Sequence, residues 1–138
     1  MERKTTDRRE FLGNVPDSIN YPRVTMWQLV YQTADQYPDT VALEFMGQKI
    51  RYVQFKQMIE QVARALWAQG IRQGDRVTIA MPNCPQAVAM FYALNRVGAL
   101  ANMVHPLSAS GEYKFFLNFS KSKMILTIDQ FYPRVAEI

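Results

Sequence analysis

The amino-acid sequence predicts an α/β fold: a three-layer parallel-sheet subdomain with helices on both faces, and a small β-hairpin near the start. From residue 76 onward, strand-like and helix-like segments alternate, which is the order typical of parallel sheets. The strand-like segments are also nearly continuous apolar runs, as expected where both faces of a sheet are buried. We therefore expect a layered α/β structure with right-handed crossovers between its parallel strands.

The first predicted element is a helix that begins at Thr25. Thr25 and Gln28 have the spacing of a capping box, in which side chains satisfy backbone N–H groups of the first turn. Pro38 ends the helix. The apolar residues that follow the helical period are Met26, Leu29, Val30, Ala34 and Tyr37.

A hairpin and a second helix come next. Short strand-like runs at 41–45 and 50–53 flank a turn built around Gly47. A second helix then ends at Gly70. Its apolar residues form one stripe, which must pack against another element; they are Phe55, Met58, Ile59, Val62, Ala63 and Leu66.

The parallel sheet is expected to begin with a strand at 76–81. Asn83 is a plausible N-cap for the helix that follows, and Pro85 is tolerated in its first turn. Residues 87–94 are apolar on every face of that helix, so it should be buried, and Gly98 closes it.

Two further strands complete the predicted sheet, at 100–104 and 124–128. Ser108 or Ser110 is expected to cap the helix between them, and Asp129 can cap a last helical segment.

We divide the chain into an irregular N-terminal arm, residues 1–24, and an α/β subdomain, residues 25–138. Glycine, asparagine and proline interrupt any regular element in the arm. The helical pattern continues to Ile138, which favours a fragment of a larger N-terminal domain.

Composition excludes several classes of function. The 138 residues carry 16 basic and 12 acidic side chains, a net charge of +4, and most of the lysines and arginines are scattered singly. Nucleic-acid binding is not expected, because no basic stripe is present. No apolar run approaches the ~18 residues that a membrane span needs. The single cysteine and the absence of a secretory signal predict a cytoplasmic location.

Motifs for cofactors and metals are also missing. No two glycines are spaced for a dinucleotide fingerprint or a phosphate loop. One histidine and one cysteine cannot build a structural zinc site from imidazole and thiolate alone. We therefore assign no catalytic, cofactor-binding or metal-ligating residue from these patterns.

Three residues are candidates for a ligand crevice: Asn83, His105 and Asp129. Each follows a predicted strand, and ligands of open parallel sheets bind beyond the carboxyl ends of the strands. Each also has a structural alternative. Asn83 and Asp129 are good helix N-caps, and His105 can hydrogen-bond the backbone of its own loop.

Five short motifs occur along the chain in the order Tyr37-Pro38-Asp39, Arg51-Tyr52, Gly74-Asp75-Arg76-Val77, Met81-Pro82-Asn83 and Gly98-Ala99. In this order and spacing they resemble the opening of adenylate-forming enzymes, the AMP-dependent synthetase and ligase superfamily. The stretch Asn102–Leu107, followed by a helix and Ser122-Lys123, is most similar to the fatty acyl-CoA ligase branch.

This resemblance implies the first part of the large N-terminal domain of an acyl-CoA synthetase. The full-length enzyme would use ATP, Mg²⁺ and CoA to convert a carboxylate to an acyl-adenylate and then to an acyl-CoA. The family's phosphate loop and adenylation lysine have no counterpart in this sequence, so no cofactor is expected for this segment. The segment would be an inactive scaffold. Its partners would be the remainder of the enzyme and a carboxylic acid, with self-association through uncovered apolar surface.

Two alternatives remain open. One is a stand-alone α/β module that binds a small molecule in the crevice. The other is a structural partner of a second chain that carries the ATP motifs; the apolar helix at 87–94 suggests it.

Overall fold

The computed structural model of the chain describes Pro16 and residues 18–138. Most of the predicted arm therefore lies outside the described residues, and residues 18–24 contain no helix or strand. The elements that follow are α1 (Met26–Gln36), β1 (Val41–Phe45), β2 (Gln48–Arg51), α2 (Tyr52–Ala68), β3 (Arg76–Ala80), α3 (Pro85–Val97), β4 (Leu100–Met103), α4 (Ser110–Ser120), β5 (Met124–Thr127), a 3₁₀ turn (Asp129–Phe131) and α5 (Tyr132–Ala136).

The central feature is a parallel three-stranded sheet with the strand order β4-β3-β5. Strands β1 and β2 form a separate antiparallel hairpin. Val77 and Ile79 of β3 pack in the cluster formed with α2 and α3. Ala80 packs in a second cluster with Tyr113 of α4. The prediction of an α/β fold with a hairpin near its start is confirmed, and helices cover the sheet on both faces.

The larger core forms where α2 and α3 pack together against β3. Alanines on α3 keep its surface small on this side, so that α2 can approach closely. No residue of α3 between Ala87 and Leu94 is exposed, which confirms the prediction of a buried helix. The fully or nearly fully buried side chains of this core include Phe55, Ile59, Leu66, Ile71, Val77, Ile79, Ala89, Ala93 and Leu94.

Helix α2 ends in the backbone arrangement that the sequence predicts at Gly70. Gly70 adopts a left-handed φ of +83°. Its N–H donates to Trp67 O at 3.0 Å, and the N–H of Ile71 donates to Leu66 O at 3.0 Å. Ile71 and Leu66 are both buried, so the chain leaves the helix with an apolar contact that fixes its direction.

The turn after Gly70 is tied to the sheet by a carboxylate and an ammonium group. Asp75 Oδ2 accepts hydrogen bonds from Arg72 N at 2.7 Å and Lys123 Nζ at 2.9 Å. The Lys123 hydrogen bond is the main reason that the pKa of Asp75 lies below its ordinary value. Lys123 also donates to Gly70 O at 3.0 Å. The guanidinium of Arg72 stacks 3.9 Å from the ring centroid of Trp67.

Only part of the predicted apolar stripe of α1 faces the core: Val30 and Ala34 pack there, whereas Tyr37 is 52% exposed. Met26 and Leu29 are 46% and 42% exposed. The side chains directed toward α2 and α3 include Trp27, Val30, Tyr31 and Ala34. Arg96 of α3 explains the difference, because its guanidinium lies over the Trp27 ring, 4.8 Å from its centroid. The predicted cap is present in part, since Gln28 Oε1 accepts from Thr25 N at 2.7 Å.

The second predicted strand, 50–53, is wrong at its end. Strand β2 stops at Arg51, and Tyr52 already begins α2. Gln54 Oε1 accepts from Arg51 N at 2.9 Å, which satisfies a free N–H at the helix start. Tyr52 N donates to Thr40 O at 3.0 Å, so this backbone bonds to the segment before the hairpin.

The predicted caps of α4 are also displaced by one residue. Ala109 is the N-cap, between the two serines considered, and Ser110 is the first helical residue. Glu112 Oε2 accepts from Ala109 N at 2.9 Å. Glu112 thus supplies one half of a capping box, the hydrogen bond to the N-cap N–H, while Ala109 has no hydroxyl for the other half. The helix dipole also favours a negative charge at this end.

Gly98 gives the sharpest test of these packing arguments. It has a φ of +80°, and a Cβ there would lie 3.0 Å from Gln73 Cγ. We expect Gly98→Ala to lower the free energy of unfolding by about 2 kcal/mol, because backbone strain and a close contact both oppose it. Gly74→Ala is the matched control: its φ is +83° with nothing within 4 Å, and about 1 kcal/mol is expected. Urea denaturation measures both, and equal losses would contradict the role of the Gln73 contact.

Candidate functional site

The carboxyl ends of the three parallel strands open into one crevice. Its walls come from the loops after β3 and β4 and from the turn after β5. The cavity has a volume of about 330 Å³ and is lined by Met81, Pro82, Asn83, His105, Pro106, Leu107 and Phe131. The structure therefore brings Asn83 and His105 together, whereas Asp129 is not among the lining residues and Phe131 stands in its place.

His105 uses one ring nitrogen within its own loop. Its Nδ1 accepts a hydrogen bond from Leu107 N at 3.2 Å, which is the structural alternative considered for this residue. A neutral ring with an accepting Nδ1 carries its proton on Nε2. His105 can therefore offer one donor beyond the loop.

Asn83 does not cap α3. The N-cap is Cys84, with extended backbone angles of φ −142° and ψ 161°, and Pro85 is the first helical residue. A residue before proline is held in an extended conformation, which is also the conformation of an N-cap. The proline thus moves the cap one residue along the chain and leaves Asn83 exposed at the crevice.

Asp129 lies at the start of the turn after β5 but is not its N-cap. That position belongs to Ile128. Asp129 Oδ1 accepts from Gln130 N at 2.8 Å, so its carboxylate satisfies a backbone donor of the turn. Asp129 therefore stabilises the turn that presents Phe131 to the crevice.

One wall of the crevice is held by side chains from two helices. Tyr113 of α4, which is fully buried, donates its hydroxyl to Pro106 O at 2.7 Å. Burial raises the pKa of this phenol above its ordinary value. Arg134 of α5 donates to Leu107 O at 2.7 Å. The loop that carries His105 is thus fixed by hydrogen bonds to its backbone.

The lining of the crevice is mainly apolar, and its two polar side chains are Asn83 and His105. Its lining residues include no lysine, arginine, aspartate or glutamate, so nothing there would neutralise a triphosphate. The described residues contain no cluster of three or more potential metal ligands. The crevice therefore does not fit an ATP–Mg²⁺ complex. It fits an uncharged or apolar group with one or two hydrogen bonds.

A polar network lies on the face of the sheet that α4 covers, and sequence reasoning missed it; Thr78 is fully buried and its partners are half-buried. Asn102 Nδ2 donates to Thr78 Oγ1 at 3.0 Å and to Ser120 Oγ at 3.2 Å. Thr78 and Ser122 share a hydrogen bond of 2.7 Å, and Ser120 donates to Phe116 O at 2.7 Å. No buried side-chain N or O atom of the described residues lacks a partner. The network is therefore structural; its sequence signal is a threonine and an asparagine within apolar strands.

A second missed cluster joins α1, α2 and α3. Tyr31 donates its hydroxyl to Glu60 Oε1 at 2.7 Å, and Arg96 Nη2 lies 3.0 Å from the same carboxylate. Burial opposes ionisation of Glu60, but the hydrogen bonds from Tyr31 and Arg96 hold its pKa below the ordinary value. Burial, followed by the Glu60 hydrogen bond, raises the pKa of Tyr31.

The cleft beside this cluster, between α1 and α2, has a volume of about 460 Å³. Four charged side chains line it: Asp35, Lys56, Glu60 and Arg64. Three of them form ion pairs. Lys56 pairs with Asp35, and Glu60 pairs with Arg96. We therefore interpret these charges as connections between helices.

Comparison with known proteins decides the family. The family model described as AMP-binding enzyme matches residues 30–137, most of the chain. The chain belongs to the AMP-binding enzyme family. The resemblance to adenylate-forming enzymes is thereby confirmed.

Individual relatives point to the same part of this family. The long-chain-fatty-acid–CoA ligase of Bacillus subtilis (strain 168) is 26% identical over 129 residues, which are 94% of this chain and 23% of the relative. A crotonobetaine/carnitine–CoA ligase of Salmonella typhimurium (strain LT2) is 29% identical over 118 residues, 82% of this chain and 22% of the relative. The chain thus spans about a quarter of the length of the curated relatives it matches.

Solved structures place the match at the N-terminal end of such enzymes. The N-terminal domain of FACL13 from Mycobacterium tuberculosis has a TM-score of 0.80 and 27% identity. The match covers 83% of this chain and 30% of that one. This chain therefore matches the N-terminal part of AMP-binding acyl-CoA ligases. No helix in residues 18–138 combines the length and apolar character needed to cross a bilayer.

The Glu60 cluster predicts how stability depends on pH. The pKa of Glu60 in the folded protein is lowered. The ionised carboxylate therefore stabilises the folded state fully when the pH is above the ordinary pKa of glutamate. This stabilisation is lost as the pH falls through the pKa of the folded state. We expect the difference in unfolding free energy between wild type and Glu60→Gln to shrink between about pH 7 and about pH 3. Denaturation at a series of pH values measures this. Tyr31→Phe retains the ion pair between Glu60 and Arg96, so it should change the pH dependence of stability less than Glu60→Gln does. A stability difference between wild type and Glu60→Gln that stays constant with pH would contradict the assignment.

Proposed function

We propose that this chain is the N-terminal part of an acid–thiol ligase of the acyl-CoA synthetase type. One observation carries the proposal: the match to AMP-binding enzymes runs through residues 30–137, and the chain aligns with 23% of a CoA ligase. In this proposal the chain is a scaffold. The polypeptide that the relatives have in addition completes the active site.

The proposed reaction of the whole enzyme has two steps. A carboxylate attacks the α-phosphate of ATP, which gives an acyl-adenylate and releases pyrophosphate. The thiol of CoA then attacks the acyl carbon, and AMP leaves. ATP, Mg²⁺ and CoA are therefore cofactors of the proposed full-length ligase, and a carboxylic acid is its substrate.

The structure supports a scaffold role through the character of the crevice. Stabilisation of a pentacoordinate phosphate needs cations and oriented donors, and the crevice has no charged lining residue. What the chain offers is a rigid wall at the carboxyl ends of three strands, with the His105 loop held from α4 and α5. We place the phosphate chemistry of the ligase on the remaining polypeptide.

The proposal includes two further expectations. A cytoplasmic location follows from the single cysteine, which is typical of a reducing compartment. Self-association of this part alone is supported by Phe115 and Phe119 of α4, which are 60% and 79% exposed and stack with ring centroids 5.6 Å apart.

Pyrophosphate release tests the proposed activity. We expect the full-length protein to release pyrophosphate from ATP only when a suitable carboxylate is present, and to form a thioester when CoA is added. The 138-residue chain alone should release none, since its described residues carry no phosphate-binding charge at the crevice. Absence of release by the full-length protein with a panel of short, long and aromatic carboxylates would contradict the ligase assignment.

The crevice also supports a second candidate function, a stand-alone module that binds a small molecule beside Asn83 and His105. The crevice has a volume of about 330 Å³, which falls within the range of small-ligand sites. Ligand binding to the folded state raises the unfolding temperature. We expect none of ATP, CoA or a long-chain fatty acid, added separately, to shift thermal unfolding of the 138-residue chain. A saturable shift that Asn83→Ala abolishes would favour the module instead.

The other alternative, a structural partner for a second chain, was suggested by the apolar helix at 87–94. That helix is α3, and its apolar side chains pack against α2 and β3 within this chain. It therefore needs no second polypeptide to cover it.

A further inference from the structure

The outer face of α4 carries an exposed aromatic pair. Phe115 and Phe119 are both exposed, and their rings stack with centroids 5.6 Å apart and planes 17° apart. Glu112, Phe115 and Phe119 follow the spacing i, i+3, i+7 along the helix, so they lie on one face of it. Another face holds the helix on the sheet through Tyr113, which is fully buried. A contiguous apolar patch with charge at its border is typical of a surface that docks a partner.

A groove adjoins this patch at the C-terminal end of α4. It has a volume of about 420 Å³, and its lining includes Arg76, Leu100, Phe119 and Lys121. The described residues that line the groove include no aspartate or glutamate. Neither Arg76 nor Lys121 forms an ion pair within the part of the chain that the structure describes. The groove therefore offers apolar side chains and two cations to an acidic partner.

Lys121 holds a backbone conformation that glycine adopts more readily. It is the C-cap of α4 and has a left-handed φ of +54°. A Cβ makes this conformation unfavourable, so glycine is the usual residue at such a helix end. Gly98 fills the same position at the end of α3. Strained positions of this kind cluster at binding sites, and here the helix end presents an ammonium group beside the groove.

The rings and charges of α4 make the helix complementary to an antiparallel copy of itself. In two antiparallel helices related by a twofold axis, residues at equal distances from the axis lie opposite each other. An axis beside Leu117 puts Phe115 opposite the second copy's Phe119. The same axis puts Glu112 at the helix end that carries the second copy's Lys121. The acidic end of each helix thus meets the basic end of the other, and every contact is made twice.

We propose that the α4 face and its groove form a twofold interface with a second copy of this chain. Phe115 of each copy packs on Phe119 of the other, and Glu112 of each copy pairs with Lys121 beside the groove of the other. The proposal rests on the proposed function only for the expectation of self-association, and it makes no use of the ligase chemistry. Because the pair uses the same patch on both copies, association stops at the dimer.

Sedimentation velocity of the 138-residue chain over a range of concentrations tests this interface. We expect a reversible dimer with a Kd on the order of 100 µM, because one helix and one groove per copy make a small interface. Phe115→Ser combined with Phe119→Ser should weaken the dimer by at least about tenfold, since aromatic anchors dominate such contacts. Lys114→Gln is the matched control. Lys114 is an exposed residue of α4 two positions from Glu112, so it does not share the face, and the dimer should be unchanged.

Charge reversal tests the twofold symmetry. Glu112→Lys creates two like-charge contacts in a homodimer, and Lys121→Glu does the same, so each variant alone should dimerise at least about tenfold less. In an equimolar mixture of the two variants, each contact joins a lysine and a glutamate, and a heterodimer should form about as readily as the wild-type dimer. Mixing cannot repair a folding defect. The mixture therefore separates docking from the hydrogen bond that Glu112 makes to Ala109 N.

Lys121→Gly separates stability from docking in a single variant. Glycine relieves the left-handed backbone at the C-cap, so this variant should unfold at a higher urea concentration than wild type. It also lacks the ammonium group, so its dimer should be several-fold weaker. A more stable variant that dimerises as well as wild type would remove Lys121 from the interface.

Four results would overturn the proposal. The first is a chain that stays monomeric up to about 1 mM, ten times the expected constant. The second is a dimer that survives loss of both phenylalanines, or charge variants that associate no better when mixed. The third is an open-ended polymer, which would require a different contact on each copy. The fourth is a full-length protein that is monomeric where the 138-residue chain is dimeric, which would assign the α4 face to the rest of the ligase.

The interface and the ligase function fail separately. A full-length protein that dimerises through α4 but releases no pyrophosphate keeps the interface and loses the function. A monomeric protein that releases pyrophosphate keeps the function and loses the interface.

Discussion

Burial of β3 on both faces is the constraint on which the rest of the structure depends. Residues Val77–Ala80 are essentially inaccessible to water, so helices must cover the sheet above and below. Helices α2 and α3 meet Val77 and Ile79 on one side, and α4 meets Ala80 on the other. The hydroxyl of Thr78 is buried in the same strand, and such a group is tolerated only when its hydrogen bonds are made. Asn102 and Ser122 supply them.

The candidate site is a direct result of this parallel arrangement. The carboxyl ends of parallel strands lie at the same edge of the sheet, so the loops that follow them lie close together there. Sequence then decides the chemistry of that edge. Prolines and aliphatic residues dominate the lining, with Asn83 and His105 as the polar groups. An apolar, uncharged wall suits a part of an enzyme that positions other groups better than one that performs phosphate chemistry.

Much of the fold could be predicted from the sequence because local signals and tertiary packing agree. The alternation after residue 76 identified the parallel strands, and Gly70 and Gly98 mark helix ends where left-handed angles are required. The meeting of Asn83 and His105 followed from strand direction. These signals need only the periodicity of a strand or helix and the steric freedom of glycine.

Other features depend on partners distant in sequence. The sequence period of α1 does not show which of its apolar faces packs against the core. Trp27 and Tyr31 face inward because the guanidinium of Arg96 on α3 lies over both rings. The cap of α3 moved to Cys84 because Pro85 restricts the residue before it. The Thr78–Asn102 hydrogen bond joins residues on neighbouring strands, and pairing of strands is not visible to a local pattern. Asp129 fell outside the crevice lining for the same reason: the turn that follows β5, and not the residue type, determines which side chain faces inward.

The two tryptophans of the chain have a spectroscopic consequence. Trp27 lies under the guanidinium of Arg96, and Trp67 lies under that of Arg72. The first indole senses whether α1 is docked on α3, and the second senses the turn that links α2 to the sheet. Arg96 and Trp67 also line one cavity, so the two contacts are neighbours in the helical layer. Replacing Arg72 would change the emission of Trp67, whereas replacing Arg96 would alter the surroundings of both rings.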